Sequence, residues 1–122
     1  LMAGLKAIHD GCTTGDIGYA VAKVAHKYNL GVVKELVGHG IGSNMHEEPD
    51  VPNYGKSGMG LRLKAGMVIC IEPMLNLGSH KIEILDDDWT IVTSDGSPSA
   101  HYEHTVLVTK DGYEILTPRL GD

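Results

Sequence analysis

The sequence has no phenylalanine, and aromatic residues make up only 5% of its 122 positions. Hydrophobic residues nevertheless account for 42% of the chain, so we expect a core of valine, isoleucine, leucine and methionine. That fraction is too high for a disordered protein. No apolar run approaches the ~20 residues that a membrane-spanning helix needs, and the sequence therefore predicts no membrane partner.

Basic residues are also scarce. Ten lysines and arginines stand against sixteen aspartates and glutamates, which gives a net charge of −6. Without a basic cluster, this balance argues against a nucleic-acid partner. The two cysteines, Cys12 and Cys70, form no Cys-x-x-Cys pair, and Cys70 lies in an apolar run typical of a buried strand. The sequence shows no secretion signal, and we expect a cytoplasmic protein.

Two helices are predicted near the start of the chain. Apolar residues at positions 1, 2, 5 and 8 have helical spacing but no capping residue before them, so we expect the chain to begin within a helix. Thr13 and Asp16 form a capping-box pattern for a second helix, which Asn29 or Gly31 is positioned to end. The apolar stripe of that helix comprises Ile17, Ala20, Val21, Val24, Ala25 and Tyr28.

Short strands are predicted for most of the remaining chain, with an extended, glycine-rich segment between them at residues 50–60. The predicted strands cover residues 32–37, 67–76, 80–85, 89–93, 100–109 and 113–116. Pro73 is compatible with its strand only at a bulge or a sheet edge. The last four strands form two hairpins across polar turns. Two helices followed by antiparallel strands indicate an α+β fold.

The segment Gly38–Pro49 gives the first indication of chemistry. Its histidines, His39 and His46, are separated by glycines that let the backbone approach an ion or a peptide. Two carboxylates, Glu72 and Glu103, follow in apolar strands, where a charge is costly unless it is paired or binds a metal. One imidazole and two carboxylates favour Mn, Fe, Co or Zn over magnesium. The alternative is that both glutamates face solvent at strand edges.

Four motifs occur in order along most of the chain. They are Gly38-His39-Gly40-Ile41-Gly42, His46-Glu47-Glu48-Pro49, Ile71-Glu72-Pro73-Met74 and Tyr102-Glu103-His104-Thr105. Together they resemble the bacterial-type (type I) methionine aminopeptidases. Related proline-peptide hydrolases and creatinase-like proteins share the histidines and glutamates but are less similar around Glu72 and Glu103. The resemblance implies half of the pita-bread fold, a curved antiparallel sheet backed by helix pairs. It also implies that residues 1–122 form the C-terminal half of the catalytic domain.

The resemblance further implies a site for two divalent transition-metal ions. His39, Glu72 and Glu103 would bind metal, and Glu103 would bridge the two ions. Glu72 would also handle the proton of the attacking water. His46 would lie outside the metal shell and steady the scissile carbonyl or the tetrahedral intermediate. The implied reaction is removal of the N-terminal methionine from nascent proteins or Met-peptides.

Met45 and Trp89 correspond to positions beside the substrate methionine, although an aromatic residue is usual at the place of Met45. Without the resemblance, both would be assigned to the core. His101 and His104 flank Glu103 and are interpreted as structural, because alternation along a strand cannot direct all three side chains toward a metal.

The resemblance implies five metal ligands, of which this chain has three. The other two are aspartates, which together with a further histidine of the site belong to the N-terminal half of the fold and have no counterpart in this sequence. We therefore expect the chain alone to bind metal weakly or not at all and to be inactive as a peptidase. We also expect it to self-associate through the apolar run 67–75, whereas the full enzyme is expected to be a monomer. The rival hypothesis is a catalytically silent half-domain that binds a peptide or a protein partner.

Overall fold

A computed structural model describes residues 1–120 of the chain, which contain two α-helices and ten short β-strands. The helices are α1 (Met2–Lys6) and α2 (Thr14–Lys27). The strands are β1 (Gly31–Val32), β2 (Gly38–Gly40), β3 (Glu47–Val51), β4 (Val68–Ile71), β5 (Met74–Asn76), β6 (Ile82–Ile84), β7 (Ile91–Thr93), β8 (Ser99–His101), β9 (His104–Val108) and β10 (Tyr113–Ile115).

The strands form three antiparallel sheets. One has five strands in the order β10-β9-β4-β2-β3, a second has three in the order β1-β5-β8, and β6 and β7 form a separate hairpin. Leu5 of α1 and Ile17 of α2 join Ile69, Ile71 and Val106 of the central strands in one fully buried core cluster. Both helices therefore pack against the five-stranded sheet, and the predicted α+β class is confirmed.

The chain crosses between the two larger sheets at three places, and the sequence prediction missed all three. The predicted strand 32–37 is two strands in different sheets, β1 and β2, separated by residues 33–37. The predicted strand 67–76 is divided into β4 and β5 at Glu72-Pro73, and 100–109 into β8 and β9 at Tyr102-Glu103. A continuous apolar pattern does not reveal a change of sheet, because a buried strand is apolar in either one.

The second helix begins and ends as predicted. The Thr13 hydroxyl accepts a hydrogen bond from the Asp16 amide, and the Asp16 carboxylate accepts one from the Thr13 amide. At the other end, Asn29 takes a left-handed conformation with φ of 55°. The apolar stripe is buried only in part, since Val24 is 40% exposed and Tyr28 is 64% exposed.

The apolar run 67–75 does not form the exposed surface that we expected. Its strand β4 lies between β9 and β2, and Ile69 and Ile71 are completely buried. Large exposed apolar side chains lie instead on the β6–β7 hairpin, including Ile84 and Trp89. The run is therefore not an exposed apolar surface, and self-association of the chain remains a prediction. Within residues 1–120, no helix has the length and apolar character needed to cross a membrane.

Asp16 also holds the glycine-rich segment against α2. Its carboxylate accepts hydrogen bonds from the Gly58 amide at 2.7 Å and from the Ser57 hydroxyl at 2.9 Å. Hydrogen bonds from the amides of Thr13 and Gly58 lower the pKa of Asp16 to about 2. This single side chain therefore links the start of α2 to a segment more than forty residues away.

We expect Asp16→Ala to lower the free energy of unfolding by roughly 1–2 kcal/mol at pH 7, the range measured for lost helix caps. Because the pKa is lower in the folded state, the stabilising contribution is present above the unfolded value of about 3.9 and disappears as the pH falls toward 2. Urea unfolding from pH 7 to pH 3 measures the difference, with the exposed Asp111→Ala as the matched control. A difference that stays constant over this range would contradict the ionic role.

Candidate metal centre

Glu72 and Glu103 lie at two of the crossings between the sheets. Ile71 pairs with His104 on one side of these crossings, and Met74 pairs with His101 on the other. The two glutamates are therefore opposite each other where both strands are interrupted. The Glu72 side chain is only 14% exposed, whereas Glu103 is exposed.

His39 approaches the same place from β2, the strand next to β4. It pairs with Cys70 in β4 and lies between two buried glycines, Gly38 and Gly40. A Cβ atom on Gly38 would be 2.1 Å from the Cys70 carbonyl oxygen, and one on Gly40 would be 2.1 Å from the Glu48 carbonyl oxygen. The glycines are required because the neighbouring strands approach too closely for any side chain.

The His39 ring is oriented by its own backbone. Its Nδ1 lies 2.8 Å from the Gly40 carbonyl oxygen, which can only accept a hydrogen bond, so Nδ1 carries the proton. In neutral His39, Nε2 therefore presents its lone pair to Glu72 Oε1 at 3.0 Å. Two acceptors at this distance require a proton or a cation between them. This arrangement of a histidine anchored through Nδ1 fits a divalent metal ion.

The three residues predicted to bind metal lie together. Possible donor atoms of His39, Cys70 and Glu103 are within 4.8 Å of one another, and so are those of Glu72, His101 and Glu103. Glu103 belongs to both groups, and the salt-bridge contact between His39 and Glu72 connects them. The donor atoms therefore converge as predicted, and the alternative that both glutamates face solvent at strand edges fails for Glu72, whose side chain is 14% exposed. Their role as metal ligands stays a prediction.

Negative charge is concentrated around Glu72. Burial, followed by the nearby charge of Glu103, raises the pKa of the Glu72 carboxyl, while His39 and His101 act in the opposite direction. Burial also raises the pKa of the Cys70 thiol, whose Sγ lies 3.3 Å from Thr105 Oγ1. A positive ion at this place would relieve the repulsion between the carboxylates.

His46 lies beside His39, as predicted, with 4.3 Å between the ring centroids and 55° between the ring planes. Both rings line a cleft of about 380 Å³ together with residues of β3. Met45 is 70% exposed, and Trp89 is 86% exposed in the turn of the β6–β7 hairpin. Neither residue lines this cleft, and their place beside a substrate stays a prediction.

His101 contacts a predicted metal ligand, which alternation along the strand did not indicate, and its interpretation as structural stays untested. Its Nε2 lies 3.3 Å from Glu72 Oε2, on the opposite side of that carboxylate from His39. Alternation failed here because Tyr102 and Glu103 interrupt the strand, so the faces before and after them are not related by a period of two. His104 is structural as predicted: it is buried, with Nδ1 3.1 Å from Thr117 Oγ1.

An apolar cavity of about 260 Å³ adjoins His101, and the sequence did not indicate it. It is lined by Val33, Leu36, Met74, Ile82, Ile91, Val92, Thr93, Ser99 and His101. These residues come from the first crossing segment, the three-stranded sheet and the β6–β7 hairpin, so only the tertiary structure brings them together.

The sequence and the fold both match one family. Residues 1–110 match metallopeptidase family M24. This chain belongs to family M24. It is 49% identical over 117 residues to methionine aminopeptidase B of Synechocystis sp., an alignment that covers 96% of this chain and 43% of that protein. The chain therefore spans less than half the length of this relative.

The fold of this chain is similar to that of solved structures from the same family. The crystal structure of methionine aminopeptidase from Rickettsia prowazekii matches with a TM-score of 0.94 and 47% identity, over 96% of this chain and 48% of that chain. Prolidase from Pyrococcus furiosus matches with a TM-score of 0.66 and 24% identity, over 97% of this chain and 29% of that chain, a likeness of fold alone. The M24 chain described here has the pita-bread architecture that the sequence motifs implied.

Proposed function

We propose that the protein containing this chain is a dinuclear-metal hydrolase that removes the N-terminal methionine from nascent proteins. The observation that carries this proposal is the convergence of His39, Glu72 and Glu103 at the crossings between the sheets. The similar proteins named methionine aminopeptidase support the choice of substrate over the other peptidases of the same fold. No feature of residues 1–120 specifically favours the silent half-domain.

The metal site would use the donors that this chain provides and others from the rest of the protein. His39, Glu72 and Glu103 would hold the ions, and Glu103 would bind to both because it belongs to both donor groups. Bound divalent transition ions supply Lewis acidity and make water a better nucleophile near neutral pH. Mn, Fe, Co and Zn all suit a mixture of imidazole and carboxylate.

The protein groups would carry the proton and hold the substrate. Glu72, whose pKa is raised by burial, would take a proton from the attacking water and return it to the leaving amine. His46, beside His39 but outside the two donor groups, would donate a hydrogen bond to the scissile carbonyl. The cleft that both histidines line leaves room for the peptide backbone.

A chimeric protein tests this function. This chain would follow the N-terminal half of the Rickettsia prowazekii relative, which is 47% identical where the two overlap. With Mn²⁺ or Co²⁺, we expect the chimera to release methionine from a Met-Ala-Ser peptide and not to cleave an acetylated copy. A metal-loaded, folded chimera that binds the peptide without cleaving it would favour the silent half-domain instead.

We expect Trp89→Ala in the chimera to lower kcat/KM for the Met-peptide about tenfold or more while the metal content is unchanged, if Trp89 contacts the methionine side chain. Leu116→Ala is the control, since Leu116 is another exposed apolar residue, at 45%. If Trp89→Ala left the rate unchanged and Ile91→Trp reduced it, the methionine side chain of the substrate would instead be placed in the cavity beside His101.

A further inference from the structure

We propose that His101 is a metal ligand of this chain, and that Glu72, His101 and Glu103 together hold a divalent transition-metal ion. The proposal rests on the metal site of the proposed function and adds a donor to it. Neither the sequence pattern nor the resemblance assigned any such role to His101. The contact of its Nε2 with Glu72 Oε2, together with the proximity of Glu103, carries the inference.

The spacing of the donor atoms fits a shared ion. Two ligands of a tetrahedral ion, each about 2.1 Å from it, are about 3.4 Å apart. The distance from His101 Nε2 to Glu72 Oε2 is 3.3 Å. One possible donor atom from each of Glu72, His101 and Glu103 lies within 4.8 Å of the others, and the Glu103 side chain is exposed and can rotate toward an ion.

Glu72 contacts two imidazoles, one through each of its carboxylate oxygens. One of its oxygens faces His39 at 3.0 Å and the other faces His101 at 3.3 Å. Each oxygen therefore has its own imidazole nitrogen, so His101 would add a second nitrogen donor beside the same carboxylate. Two neutral imidazoles and two carboxylates bring a charge of −2, which balances one divalent ion.

Cys70 is the weaker candidate for the additional donor. Cys70 is 1% exposed and is held within the central strand β4. Its sulfur also lies 3.3 Å from the Thr105 hydroxyl oxygen, within hydrogen-bonding distance. His101, by contrast, has a side chain that is 43% exposed and can adjust to an ion.

The test is Zn²⁺ titration of the chimeric protein followed by long-range ¹H–¹⁵N NMR of its histidines, which reports each ring nitrogen separately. We expect the Nε2 signals of both His39 and His101 to move to the metal-bound position, and that of the exposed His26 to remain unchanged. If only His39 moves, this inference is wrong and the proposed metal site stands. If neither moves at saturating Zn²⁺, both are wrong.

His101→Gln separates a ligand from a residue that only positions Glu72. Glutamine keeps an N–H donor for the carboxylate but has no imidazole lone pair. We expect this variant to raise the Zn²⁺ dissociation constant about tenfold or more, measured by calorimetry, with His26→Gln as the matched control. Binding equal to that of the unchanged chain would show that His101 acts through a hydrogen bond and would overturn its role as a ligand.

Discussion

Glu72→Gln should reduce the turnover of Met-peptides by the chimeric enzyme about a thousandfold or more, the largest effect that we expect from one substitution. Loss of a general base alone accounts for ~10²–10⁴ in rate. Glu72 also contacts His39 and His101 through its two oxygens, and a neutral amide would remove the negative charge that both imidazoles share with a metal ion. Metal content should therefore decrease together with activity.

The measurement is kcat and KM for Met-Ala-Ser with bound metal determined on the same sample. Glu114→Gln is the matched control, because Glu114 is an exposed glutamate on β10, at the edge of the same sheet. If the Glu72 variant had the same turnover as the unchanged protein, this carboxylate would have no role in the reaction. Full metal content with lost turnover would restrict its role to proton transfer.

Gly38→Ala should lower the free energy of unfolding by about 3 kcal/mol or more, at the upper end of what an overpacked core costs. The added Cβ would be 2.1 Å from the Cys70 carbonyl oxygen and 3.2 Å from that of Val51. Both are backbone atoms of the strands on either side of β2, so neither can move without breaking a ladder of the central sheet. His39 is the next residue, and metal affinity should fall with stability.

Urea unfolding of the chain, with and without Zn²⁺, checks this expectation. Gly112→Ala is the control, because its Cβ would meet nothing closer than Thr109 Oγ1 at 4.0 Å, and we expect a change within about 0.5 kcal/mol. If Gly38→Ala were as stable as the control variant, β2 could not be packed as closely between β3 and β4 as the structure indicates.

The candidate site follows from how the chain passes between its two larger sheets. His39 comes directly after the first crossing, Glu72 is part of the second, and His101 and Glu103 border or form the third. A residue within a regular strand has its backbone hydrogen-bonded to neighbouring strands, and its side chain points to one fixed face of the sheet. A residue at a crossing between sheets lacks this restriction, and its side chain can point toward the gap between the sheets. The donors therefore gather where the regular structure is interrupted.

Much of this could be predicted from local sequence. The capping box at Thr13 and Asp16, the left-handed end of α2 at Asn29 and the β6–β7 hairpin each depend on residues a few positions apart. The candidate ligands His39 and Glu72 could also be identified from the motifs around them, since a glycine-flanked histidine and a glutamate within an apolar run are both unusual.

Three features depended on the tertiary structure. The three crossings were hidden, because valine and isoleucine are suited equally to either sheet. The position of His101 was hidden as well, since it depends on the break at Tyr102-Glu103. The cavity beside His101 is formed by segments that are distant in sequence. The sequence by itself determined which residues are candidates for the chemistry, because their type and immediate neighbours are local. Only the tertiary structure decided which of them meet, since that depends on where each strand leaves its sheet.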